Sequence, residues 1–137
     1  MRHPFILIAW FLILAVGVVI WWAAILGSQD IRGRFFDDTF GKGLYYIFLV
    51  PDLLAIIAGS ALVCWFGVTK SRVAMLCTIW LVTGAMAYAT LVTASLYRYG
   101  HCTPAALFLM ATGSAICIWL AIDSSRGREF REQPHER

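Results

Sequence analysis

Apolar residues in this chain gather into four long runs, separated by short polar stretches. The first run, FILIAWFLILAVGVVIWWAAILG over residues 5–27, holds no charged side chain. About 20 residues of helix cross the hydrocarbon layer of a bilayer. Each run therefore predicts a transmembrane helix: residues 5–27, 44–68, 73–98 and 104–122. A cleaved signal peptide is the rival reading of the first run, because Arg2 precedes it. The run is too long for a usual signal core, and Trp21 and Trp22 stand where small residues would be needed. A retained helix is expected.

The polar stretches set the connections. Residues 28–43, SQDIRGRFFDDTFGKG, mix three acids, three bases and three phenylalanines with Gly33, Gly41 and Gly43. Glycines at that density predict a loop, with Phe35, Phe36 and Phe40 in the headgroup layer. Only Thr69, Lys70, Ser71 and Arg72 join the second and third runs, which must then form an antiparallel hairpin. Thr103-Pro104 is a helix start, with threonine as N-cap and proline in the first turn. Residues 123–137 form a polar tail. The expected architecture is an all-α membrane protein of one domain, residues 1–137, folded as a four-transmembrane-helix antiparallel bundle.

Charge orients it. Arg2, Lys70, Arg72, Arg126, Arg128, Arg131 and Arg137 share one side of such a bundle, while Arg32, Arg34, Lys42 and Arg98 share the other. The richer side is expected to be cytoplasmic, giving an N-in/C-in topology. Trp21, Trp22, Tyr45, Tyr46, Tyr97 and Tyr99 gather near the outer interface as an aromatic belt. Short loops and the lack of sorting signals make a bacterial inner membrane the default location.

Composition removes several function classes. The chain is 61% hydrophobic and 14% charged, which is wrong for a water-soluble domain. No basic stripe with interleaved aromatics points to nucleic acid. Cys64, Cys77, Cys102 and Cys117 form no CxxC pair. By hairpin register Cys64 falls opposite Cys77, but buried thiols usually pack as small apolar groups, so no metal is expected. Three histidines, His3, His101 and His135, are wrongly placed for a haem, and no cofactor is expected. His101-Cys102 reads as an ordinary loop pair. Motifs for nucleophilic, zinc-dependent or phosphate-handling catalysis are missing, so the balance leans against an enzyme.

One acid lies inside a run. Pro51 cannot donate its hydrogen bond and pushes on the carbonyl of Ile47, so a kink is expected there, and Asp52 follows it. A carboxylate at such depth costs about 2.5 to 3.5 kcal/mol before it finds a partner. The rival is that Pro51 starts the helix, which would leave residues 44–50 as non-helical backbone at the membrane. Asp52, Ala55 and Gly59 share one helical stripe, and small residues line helix contacts in membranes, so Asp52 should face another helix. A hairpin centred between Lys70 and Ser71 sets Asp52 level with Ala89. An outer turn centred on His101 sets Tyr88 and Thr90 level with Ser114 and Thr112. The expected ligand-binding layer is therefore Asp52, Tyr88, Thr90, Thr112 and Ser114. A carboxyl that merely fixes helix register is the competing use of Asp52.

Three functions remain. The leading one is an accessory or assembly subunit, or a bundle that binds a lipid or small molecule, with membrane lipid, a second copy or another membrane subunit as partner. Small residues along the third and fourth runs, including Gly84, Ala85, Ala89, Ala111, Gly113 and Ala115, supply the packing surface. A proton-coupled transporter using Asp52 is the second, and would need a dimer. A membrane enzyme acting on a lipid or isoprenoid, with Asp52 as acid or base, is the third.

Overall fold

The computed structural model describes residues 4–35, 50–69 and 71–126. Five helices and no strand occur among them. They are α1 (Pro4–Gly27), α2 (Gln29–Phe35), α3 (Asp52–Val68), α4 (Arg72–Arg98) and α5 (Pro104–Arg126). Three of these, α1, α4 and α5, are long and apolar enough to cross a membrane, while α3 is a shorter apolar helix. The outward side chains along them are themselves apolar: Ile13, Ile20, Leu81, Leu91 and Phe108 are all exposed. An exterior of that kind is stable in lipid and not in water. The chain reads as a membrane protein.

Consecutive long helices run in opposite directions. At one end, Leu7 and Phe11 of α1 pack with Val63 of α3, Met75 and Ile79 of α4, and Leu120 and Ala121 of α5. At the other end, Trp22 and Ile25 pack with Leu96, Cys102 and Ala106. Between them lie Ile56, Met86 and Cys117. Residues early in α1 and α4 thus meet residues late in α3 and α5.

Two turns fix the register. Between α3 and α4, Gly59 is buried against Val82, the partner that a hairpin centred between Lys70 and Ser71 assigns to it. A Cβ at Gly59 would stand 2.5 Å from Val82 Cγ2, so this glycine permits the close approach. Between α4 and α5 the centre is Gly100. The His101 amide donates to Leu96 O and the Gly100 amide to Tyr97 O, with Gly100 at φ +80°. That pair of bonds is the glycine stop in which a left-handed residue closes the helix. It moves the centre of the turn one residue from His101, and every α4–α5 pairing by two. Thr90 accordingly meets Met110, and Thr83 meets Cys117.

Three local features differ from the expectation. Residues 29–35 are helical, because the Ser28 hydroxyl accepts from the Ile31 amide and Asp30 occupies the first turn. Residues 36–43 of the expected loop lie outside the described residues. Helix α5 continues past Ile122 to Arg126, with the Ser125 hydroxyl donating to Ala121 O. Helix α5 does begin at Pro104, but the Thr103 hydroxyl is buried with no hydrogen-bond partner, and only the Thr103 carbonyl enters the helix, accepting from Leu107.

Candidate functional site

Asp52 sits where α3 departs from α-helical geometry. The chain is already helical at Val50, and Pro51 has helical dihedrals of −58° and −40°. Residues 44–49, on which the choice between a kinked span and a late start turns, lie outside the described residues. From Asp52 to Ala58 the helix is of the wider π type, with bonds from i to i+5. The π turn begins directly after the residue whose missing N–H interrupts the ordinary ladder. It also changes the inward face. Asp52, Ile56, Gly59, Ser60 and Val63 are buried, while Ala55 is only half-buried.

The Asp52 carboxylate is 5% exposed and accepts a hydrogen bond from Trp22 Nε1 at 2.8 Å. An indole N–H is a donor only, so it serves a carboxyl oxygen whatever the protonation state of the acid. The bond ties α1 to the π turn of α3, toward the end of the molecule that holds Gly100. Trp22 is itself buried, in the cluster with Ile25, Leu96, Cys102 and Ala106. Ala89 on α4, the residue that the hairpin register sets opposite Asp52, is buried too.

The other expected layer residues are placed as follows. Tyr88 is 51% exposed, on the side of α4 away from its buried neighbour Ala89. Thr90 donates to Met86 O at 2.9 Å and lies 3.1 Å from Met110 O, so it joins α4 to α5. Thr112 is exposed and donates back to Phe108 O. Ser114 is buried on α5. The structure brings Asp52 together with Trp22, and it directs Tyr88 and Thr112 outward. Trp22 belongs to the aromatic belt expected from the sequence. The hairpin logic applied across residues 28–43 would set Asp52 level with Val19, within a turn of Trp22, and that signal could have found the pair.

Further polar contacts tie the same helices. Trp10 Nε1 donates to Cys117 Sγ at 3.4 Å, and Cys64 Sγ lies 3.8 Å from Ile8 O. Cys77 is exposed, so the thiols of Cys64, Cys77 and Cys117 have separate surroundings. Among the described residues no three of His, Cys, Asp or Glu stand together as a metal site. At the outer turn, Cys102 is buried, and burial pushes its thiol above the ordinary range. Ser60 is fully buried on α3 with no partner for its hydroxyl.

On the outward side of α5 runs an open groove lined by Phe108, Ala111, Thr112, Ala115, Ile116 and Trp119. All six lie on one face of α5, where Ala111 and Ala115 are the small residues. Phe108 and Trp119, both exposed, stand at its two ends. Because the Thr112 hydroxyl is bonded within its own helix, the groove presents an apolar surface. Comparisons with protein-family models, curated proteins and solved structures find no match to this chain.

Proposed function

We propose that this protein is a four-helix integral membrane protein with both termini in the cytoplasm, and that it works as an accessory or assembly subunit of a larger membrane complex. A bacterial inner membrane fits its short connections. The observation that carries the subunit reading is the α5 groove. Helices associate in lipid by close backbone approach over small residues, and Ala111 and Ala115 sit one turn apart on that face, between Phe108 and Trp119 along the helix. A helix of another membrane protein is the occupant this reading assigns to it. In this reading Asp52 is a register device, whose bond to Trp22 holds α1 against α3.

A photo-reactive side chain at Ala115, installed in the native host, tests the reading. It should cross-link one defined protein, whereas the same probe at Ile13 on the lipid-facing side of α1 should label lipid. Labelling of lipid alone at both positions would refute the subunit assignment.

A second reading has its own observation. π turns recur at functional sites, and Asp52 opens one. On that basis a dimer of this chain carries a proton-coupled solute, with Asp52 taking up and releasing the proton. Transport that survives Asp52→Ala would remove this mechanism.

A further inference from the structure

We infer that Arg72 is a phosphate-binding residue, which takes the phosphodiester of an anionic lipid, or phosphate of the same chemistry from solution, at the end of the molecule where α4 begins. Arg72 is the first residue of α4 and is half-buried, at the rim of the protein. Its Nε and Nη2 are inaccessible and have no hydrogen-bond acceptor among the described residues. Those two nitrogens form one edge of the guanidinium, the planar fork that takes two oxygens of one phosphate. Leaving both donors unmet on a permanently charged group is unfavourable, because burial strips water without supplying a replacement. The described structure offers no acid nearby in sequence, since the first turn of α4 holds none.

The surroundings suit an anion. Ser71 precedes Arg72 as N-cap but makes no side-chain capping bond, so the first amides of α4 add their partial positive charge at the same place. A cation there gains nothing from the helix dipole, and an anion bridging the guanidinium and the helix start gains from both. Arg126 lies at this end in the last turn of α5, which also holds the half-buried Asp123, because the Thr83–Cys117 and Thr90–Met110 pairings carry α5 to within a turn of the level of Arg72. Arg72 also stands just beyond the apolar stretch of α4, which is the depth of lipid phosphates. Binding a phosphate in that layer requires the side chain to rotate and bring its buried Nε–Nη2 edge to the surface.

Native mass spectrometry of the full-length protein in mild detergent tests this, after incubation with mixed vesicles of phosphatidylglycerol and phosphatidylcholine. The wild-type protein should retain phosphatidylglycerol selectively. Arg72→Gln should weaken that retention by roughly fivefold or more, and Arg126→Gln by less. Arg72→Lys keeps the charge and loses the fork, so it should hold lipid with reduced headgroup selectivity; it serves as the informative variant should Arg72→Gln not fold. In a second arm, inorganic phosphate is added without lipid. If phosphate raises the melting temperature over equal chloride, and Arg72→Gln abolishes the rise, the anion is taken from solution. Equal lipid retention by wild type, Arg72→Gln and Arg72→Lys would overturn the proposal, as would a wild-type protein that responds to neither probe.

Discussion

Among the described residues Asp52 is the one buried carboxylate, and the Trp22 indole is its hydrogen-bond donor. Trp22→Phe deletes the donor and leaves the Asp52 oxygen facing apolar neighbours, so it should destabilise the fold by about 1–3 kcal/mol. Adding Asp52→Leu to Trp22→Phe removes both ends of the bond, and the double variant should be more stable than the sum of the two single effects predicts. Unfolding in mixed micelles measures all four corners of that cycle. Additive losses would mean that the 2.8 Å contact contributes no coupling. Ser60 offers an opposite case. Its hydroxyl is fully buried without a partner, so Ser60→Ala should leave stability unchanged or raise it by up to about 1 kcal/mol. A clear loss in the same assay would show that the hydroxyl has a partner in the bilayer.

At the scale of elements, two glycines that look alike in the sequence have different duties. Gly59→Ala drives a Cβ to 2.5 Å from the branched Val82 side chain, which has no freedom to retreat. It should cost about 1–3 kcal/mol by forcing α3 from α4. Gly113→Ala meets only the terminal methyl of Met86, at 2.9 Å, and a methionine can turn away. Thermal unfolding of the pair should separate them, and equal melting temperatures would contradict the packing. Helix limits were legible in the sequence where a run ended in strong punctuation: Pro104 opens α5, Arg98 ends α4 and Gly27 ends α1. The short helix α2 was not, because Gly33 reads as a breaker and the Ser28 cap outweighs it. The α3–α4 register was legible at Gly59 and Val82, whereas finding the Asp52 partner needed the same logic carried across residues 28–43. Sequence spacing fixes depth along a hairpin, and which neighbouring helix an acid faces depends on packing among all four. The π turn added a further shift, burying Ile56 where an α-helical stripe places Ala55.

For the whole molecule, the proposed topology has α1, α3, α4 and α5 crossing the bilayer in alternating directions. Reporter fusions at both termini should then be cytoplasmic, and one placed after Gly100 should be external. Opposite locations for the two termini would leave α3 short of a full crossing. The subunit proposal rests on the apolar, small-residue face of α5. The most direct measurement is purification from the native membrane in mild detergent, with the mass and composition of the particle determined for wild type and for Ala115→Trp, which fills the groove. The subunit account predicts a second protein in fixed ratio with the wild type and its loss from Ala115→Trp. A wild-type particle containing one copy of this chain and lipid, with no second protein, would contradict it.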